Sequence, residues 1–594
     1  MPYARWLLIA AVVAVGLVIT PHYGESWDER QFYKYADSAL GAYSTWPQSG
    51  FVPLTGNTYD NYGPAYVMFT ALAARLLGNV LPWSISDLRH LVYFFTFVVG
   101  LWALYGLSRR WLGRTAALGV TLLFGTQPVI WGHAFISPKD IPFLAFVILT
   151  LLLGFGWVDR MAGEPDGSAP AAPRQLILLT GIWLVLVLAS ILITPVVHAW
   201  IDSLVRAAAA GQQNIIAGLA SDIRTADPSI YVEKYFVLFL RLHAVWIIGS
   251  TVVVGFIWRR IPGSLRFLAS IAPAGLVMGF ATSIRVLGPL AGLIVAAYAV
   301  RRLGRQALVP LLVYGLLGLF AMYVTWPYLW PDPLGHLVES VRVMSQYPWK
   351  GNVLFDGIQY ASTELPRSYL PVLLAIQLTE TAWLSILVGA VIGLLAVLRQ
   401  RGGYAIPLLA LVWFVLPFLG FVITRAPLYD NFRQVLFILP PLFMLAGPAF
   451  EAIPRRYIQI ALITLTILPG VIAGMRLHPY EYIYYNRFIG GVHGAFRRFE
   501  LDYWGTSFRE AAAYLDEAAP PNATIWVEGP THLLQAYARP DLKIYSTYES
   551  ERASRYDYIV ALTRFDLDLQ AYPDAPIDHV VERDGALLSV IKKP

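Results

Sequence analysis

Acidic and aromatic side chains crowd one short stretch after the first apolar run: His22, Tyr23, Gly24, Glu25, Ser26, Trp27, Asp28, Glu29 and Arg30, followed by Tyr33, Tyr35 and Asp37. Adjacent carboxylates wedged between rings can take a proton from a bound hydroxyl. Cations that suit an anionic substrate lie elsewhere. Lys139 is a compact point charge suited to phosphate, and Asp140 beside it stands at the entrance of an apolar run. Arg285 lies in a four-to-five-residue connection between two short apolar segments, where an ionisable group marks a functional site by default. Arg425, Tyr429 and Arg433 form a third group, in which a planar guanidinium can hold two phosphate oxygens at once. Asp28, Glu29, Asp60 and Asp140 offer hard oxygen ligands. No His-rich or Asp-x-Asp pattern accompanies them, so no metal is expected, a divalent ion being the alternative.

These residues must be positioned by a body that lies mostly in lipid. Of 594 residues, 57% are hydrophobic and 14% charged, against roughly 25% charged in an ordinary soluble domain. The apolar residues fall in blocks of about 15–22, the length that crosses a hydrocarbon core. They run over residues 6–20, 90–108, 115–132, 142–158, 176–197, 237–257, 267–281, 286–300, 308–325, 381–398, 404–423, 432–450 and 458–474. The fold class expected is therefore a polytopic α-helical membrane protein of about thirteen spans, since lipid leaves no other way to satisfy the backbone. The net charge of +6 is too small to suggest nucleic acid. With no Cys in the chain, thiolate catalysis, disulfides, iron–sulfur clusters and Cys-based zinc sites are excluded.

Alternate loops hold Arg109, Arg110 and Arg114; Arg160 and Arg174; Arg259, Arg260 and Arg266; Arg301, Arg302 and Arg305; Arg399 and Arg401; Arg455 and Arg456. By the positive-inside rule these face the cytoplasm, which puts the N-terminus inside and the end of the chain outside. The first segment is expected to stay as a span, because no small-x-small cleavage site precedes Pro21. Residues 163–173 (GEPDGSAPAAP) read as a flexible linker.

Charge returns in the last part of the chain. Residues 475–594 carry 30 of the 82 charged side chains, so the expected division is a transmembrane module over 1–474 and a soluble domain over 475–594. In the latter, 508–518 reads as an amphipathic helix, and 523–527 (ATIWV), 542–545 and 556–562 (YDYIVAL) read as strands, with a helical stretch at 532–537. A small α/β domain follows. Its role is open between acceptor handling and stability. The aromatic loop 326–380, with Trp326, Trp330 and Trp349, fits an interfacial belt better than a substrate lid, and 198–235 fits an interfacial helix.

The pair Asp28–Glu29 in the first external loop resembles that of the GT-C glycosyltransferases, which include protein O-mannosyltransferases and the lipid A aminoarabinose transferase. Residues 59–66 (YDNYGPAY), 133–143 (HAFISPKDIPF), 429–441 (YDNFRQVLFILPP), and 478–505 (HPYEYIYYNRFIGG through DYWG) are similar to further elements of that group, in the same order. The resemblance implies transfer of a sugar from a polyprenyl phosphate to an acceptor hydroxyl on the non-cytoplasmic face, with inversion. It casts Asp28 as general base, Glu29 as its orienting partner or an acceptor contact, and Lys139, Asp140, Arg285, Arg433, Tyr429 and Asp60 as substrate-binding residues. No cofactor is required. The implied partners are the lipid-linked donor, the bilayer, and a glycan, lipid or protein acceptor; a composition without Cys and rich in Arg fits a bacterial inner membrane better than the endoplasmic reticulum. A transporter or lipid flippase is the alternative, with a broken pair of spans around Arg285 in its favour. A non-catalytic scaffold would leave Asp28 and Glu29 replaceable.

Overall fold

The computed structural model describes residues 4–49, 58–163, 174–219, 223–224, 227–261, 264–347, 349–399, 404–546 and 555–594. Most of the linker 163–173 lies outside them. Eight helices among the described residues are long and apolar enough to cross a membrane, and a pair bent by 42° (Leu178–Leu192 and Thr194–Ala209) makes a ninth. The chain divides into two compact units. One comprises Met1–Phe32, Thr70–Ile148 and Gln346–Pro594, the other Tyr33–Phe69 and Leu149–Ser345.

In the first unit the apolar runs do not all become single helices, and the sequence shows why. The run 115–132 breaks between Arg114–Gly125 and Pro128–Ile136, because Pro128 has no N–H to continue the ladder. Gln127, fully buried at the break, repairs it. Its Nε2 donates to the Leu123 carbonyl at 2.8 Å, and its Oε1 accepts from the Thr379 N–H at 3.0 Å. The run 432–450 becomes a 3-10 turn, Arg433–Ile438, and two one-turn helices, Pro440–Met444 and Gly447–Glu451. Pro440, Pro441 and Pro448 account for the breaks.

The second unit is held by close helix packing. A Cβ at Gly275 would meet Leu317, one at Gly279 would run into the Gly318 carbonyl, and Ser283 bonds the Thr325 carbonyl at 3.3 Å. Helices Ser264–Thr282 and Leu308–Thr325 are therefore parallel, so Pro289–Leu303 between them runs the other way, turning back at Gly304 (φ 55°). The turn at Gly304 thus lies among the basic residues Arg301, Arg302 and Arg305. Small residues let these backbones approach where no hydrophobic effect drives association. The region 198–235 forms Thr194–Ala209, Ile215–Leu219 and the start of Pro228–Arg260, sharing a cluster around Val205, Ala208 and Ile223.

The last part of the chain carries a five-stranded sheet, preceded by a hairpin of β1 (Asn352–Phe355) and β2 (Ile358–Ala361). Its strands are β3 (Thr524–Glu528), β4 (Lys543–Ser546), β5 (Tyr558–Leu562), β6 (Ile577–Arg583) and β7 (Ala586–Lys592), ordered β4-β3-β5-β7-β6. β3 is parallel to β4 and β5, whereas β7 is antiparallel to β5 and β6. Helix Phe508–Ala518 buries Phe508, Ala511, Ala512 and Leu515, the i, i+3, i+4, i+7 stripe of an amphipathic helix. The last two strands were not expected from the sequence. Both residues of their turn, Asp584–Gly585, have positive φ, the two-residue hairpin geometry that Asp-Gly favours.

Gly279→Leu should lower the melting temperature in detergent by several degrees, because the added side chain meets backbone. Gly249→Leu, whose Cβ meets nothing within 4 Å, should leave it unchanged.

Candidate active site

The turn that carries Asp28 is fixed from behind. Glu29 opens helix Glu29–Ser49 and reaches back to the Ser26 N–H at 2.6 Å, half of a capping box. His90 Nε2 sits 3.1 and 3.2 Å from the two Glu29 oxygens, and the Glu29 side chain is fully buried. Both oxygens are thus engaged inside the protein. The Trp27 N–H donates to the Trp504 carbonyl at 3.0 Å, and its own carbonyl lies 3.1 Å from His532 Nε2. Asp28 itself accepts the Gln31 and Phe32 N–H groups on its carbonyl, and leaves its carboxylate 28% exposed.

Arg433 stands at the centre of the carboxylates. Its Nε and Nη2 donate to Asp430 Oδ2 at 3.1 and 2.8 Å, and its Nη1 donates to Asp140 Oδ2 at 3.1 Å. Nη2 also lies 3.9 Å from Asp28 Oδ2. The guanidinium is 1% exposed and sits over the Trp504 ring at 4.4 Å and the Tyr429 ring at 5.0 Å. Trp349 stacks on Tyr429 at 4.6 Å. Asp430 and Asn431 are consecutive left-handed residues, a conformation that Asp and Asn tolerate. Asp140 is capped through Ser137, whose Oγ accepts the Asp140 N–H at 3.1 Å, an N-cap bond at the start of its helix.

A second arginine comes from the sheet at the end of the chain. Arg564, just past β5, donates from Nη2 to Asp430 Oδ1 at 2.5 Å and lies 3.3 Å from Glu500 Oε2. Its Nη1 donates to the Tyr503 carbonyl at 2.7 Å. Burial raises the Glu500 carboxyl above its ordinary range, against the pull of Arg564, because desolvation disfavours the charged form. Two guanidiniums therefore hold Asp28, Asp140, Asp430 and Glu500 together, drawn from separate segments of the chain.

Of the residues singled out from the sequence, Asp28, Asp140, Arg433 and Tyr429 converge here, with Glu29 directly behind. Lys139 joins them through Asp140; its Nζ lies 4.2 Å from the centre of the Phe32 ring and it is 5% exposed. Arg425 does not join. It is the exposed left-handed cap of helix Leu416–Thr424. Asp60 and Arg285 belong to the second unit, where their segments touch: a Cβ on Gly63 would run into the Ser283 carbonyl, and the Asp60 carbonyl accepts from Trp326 Nε1 at 3.1 Å. Among the described residues no group of three His, Asp or Glu side chains is arranged to hold a metal ion. Asp430, Trp504, Glu500, Trp349 and Arg564 went unassigned. The first two lie inside the quoted motifs YDNFRQ and DYWG and could have been found there; Arg564 has no local signal.

No protein-family profile matches the chain, and no curated protein matches it by sequence. Solved structures do. AglB, the oligosaccharyltransferase of Archaeoglobus fulgidus, in complex with an inhibitory peptide and a dolichol-phosphate, is 13% identical over 94% of this chain and 69% of its own, at a TM-score of 0.38. The apo form of the Archaeoglobus fulgidus enzyme gives 14% identity and a TM-score of 0.36, and this chain spans 62% of its length. ArnT of Cupriavidus metallidurans bound to undecaprenyl phosphate is 14% identical, over 100% of this chain and 98% of its own, at 0.28. These are GT-C glycosyltransferases, the group that the motifs resemble. At such scores the side-chain geometry, not the superposition, has to carry a functional assignment.

His133, in the last turn of helix Pro128–Ile136, is buried, with Nε2 3.0 Å from the Tyr503 hydroxyl. Burial pushes its pKa down to about 4, since desolvation penalises the imidazolium. The unfolded chain then binds the extra proton between about pH 4 and 6.5, so stability should fall as pH drops through that window. In a pH series of melting curves His133→Gln should flatten this slope. Arg433→Met should cost about 3–5 kcal/mol, because it leaves buried carboxylates unpaired; thermal denaturation of the purified variant measures it.

Proposed function

We propose that the chain transfers a sugar from a polyprenyl phosphate carrier to an acceptor hydroxyl on the extracytoplasmic face of a bacterial inner membrane, with inversion at the anomeric carbon. What carries the reading is one observation: of the carboxylates gathered around Arg433, Asp28 keeps a partly open oxygen while Asp140 and Asp430 spend theirs on the guanidinium. A base must reach its proton directly. The acceptor oxygen attacks C1 of the donor sugar, its proton passes to Asp28, and the C1–O bond breaks with its electron pair on the departing phosphate. No covalent sugar–enzyme intermediate is needed.

The cations divide the remaining work. Arg433 has its donors on Asp430 and Asp140, which supports a role in aiming Asp28 beside the substrate contact that the resemblance implies. Phosphate contact falls to Lys139, and the motif resemblance gives Arg285 the same task, stabilising the charge that develops on the leaving group. Tyr429 and Asp60 keep the substrate contacts that the resemblance implies. About thirteen spans with the N-terminus in the cytoplasm would put the loop bearing Asp28 and the domain 475–594 on the same outer face. Lipid-linked sugars reach that loop from the bilayer, which suits a body of apolar helices. Polyprenyl chains are also what two of the similar structures hold, as dolichol-phosphate and undecaprenyl phosphate.

Purified protein in lipid, given a panel of polyprenyl phosphate sugars and a membrane extract as acceptor source, should release polyprenyl phosphate from one of them. Asp28→Asn should reduce that release about 10²-fold or more, with its melting temperature close to that of the parent. Release of normal rate in the variant would remove the base. Arg285→Ala and Lys139→Ala should shift the donor titration to higher concentration, and an unchanged titration in both would sink their role on phosphate.

A further inference from the structure

Beside the arginine–carboxylate cluster, and not used by the scheme above, lies a cleft of about 520 Å³ between the β1–β2 hairpin and the segment after β5. Lys350, Asn352 and Gln359 line one wall, and Phe565, Asp566 and Gln570 the other. Both walls are tied to the cluster through a neighbour in sequence. Lys350 follows Trp349, which stacks on Tyr429 beneath Arg433. Phe565 follows Arg564, whose guanidinium holds Asp430 and lies 4.6 Å from the Phe565 ring. The walls are also built. β1 hangs on Glu500, which accepts the Leu354 N–H at 3.1 Å, and Ser362 Oγ bonds the Trp349 carbonyl at 2.8 Å. Opposite, Gln570 Nε2 donates to the Phe565 carbonyl at 2.9 Å, and Arg497 pairs with Asp566 and Asp568.

The lining selects a chemistry. Three side-chain amides present donors and acceptors together, which matches vicinal hydroxyls. Lys350 and Arg497 are balanced by Asp566 and Asp568, so a phosphate finds no excess of cations. One ring supplies the apolar contact, too little for a lipid chain but enough for a pyranose face. A volume of this order holds more than one sugar unit. We propose that this cleft is an acceptor subsite for a neutral glycan, which seats the sugars beyond the one whose hydroxyl meets Asp28. This rests on the glycosyl-transfer reading and names its acceptor class: a carbohydrate, in preference to a peptide hydroxyl.

The experiment titrates the acceptor. Full-length protein in vesicles, supplied with the donor that supports release, is assayed against the total glycolipid fraction of the source membrane and, separately, a Ser/Thr peptide pool. Asn352→Ala, Gln359→Ala and Phe565→Ala change exposed or half-buried side chains at the rim, and melting curves check that each folds. Each should raise the glycolipid KM about fivefold to twentyfold while the donor KM holds. Delipidated glycan from the same fraction should inhibit the parent and lose that effect in Gln359→Ala. Release by the parent with an unchanged acceptor KM in all three variants overturns the subsite and leaves the transfer reaction standing. Transfer to the peptide pool with KM raised by the same variants assigns the cleft to peptide and equally overturns it. Absence of release by the parent with every donor removes the reaction, and the subsite with it.

Discussion

A guanidinium with 1% of its surface exposed, shared among three carboxylates and clamped between two rings, governs how this protein is put together. Taking Arg433 and its partners out of water is costly unless the geometry is close to ideal. Each partner is therefore supplied by an element with little freedom. Asp140 comes from a capped helix start, Asp430 from a left-handed turn and Asp28 from a turn locked by Glu29 and His90. Arg564 supplies the second positive charge, which pairs with Glu500 and shares Asp430 with Arg433.

That arrangement accounts for the breaks in the apolar runs. The run 432–450 begins just after the left-handed turn at Asp430 and Asn431 and opens with the 3-10 segment that carries Arg433. The prolines at 440, 441 and 448 split the run into short pieces whose carbonyls find partners within the protein, the condition for irregular backbone at membrane depth. Gln127 does the same for the break at Pro128, before the loop that bears Lys139 and Asp140. The same unit holds both the broken runs and the sheet, so the end of the chain packs in the unit that carries the arginine–carboxylate cluster.

Much of the scaffold was legible along the chain. Helix Phe508–Ala518 and strands β3, β4 and β5 lie where the periodicity placed them, because amphipathic stripes and β-branched runs are local signals. Strands β6 and β7 escaped although the Asp-Gly turn between them is a strong hairpin cue. The aromatic loop is a more instructive case. Trp349 looked like one more ring for a membrane belt, yet it stacks on Tyr429, a partner so distant along the chain that no local pattern names it.

By itself the sequence determined that the chain is built largely of apolar helices, that Asp28 follows the first apolar run, and that charge returns towards the end of the chain. Hydropathy and loop charge act residue by residue, so they can be read without a fold. Only the tertiary structure decided what each charge does. It turned Glu29 inward to His90, gave Arg433 to the carboxylates, left Arg425 outside, and brought Arg564 from the far end of the chain to Asp430. The reason is that pairing a buried charge is a matter of distance in space. Segments remote from one another in sequence meet only once the helices between them have packed.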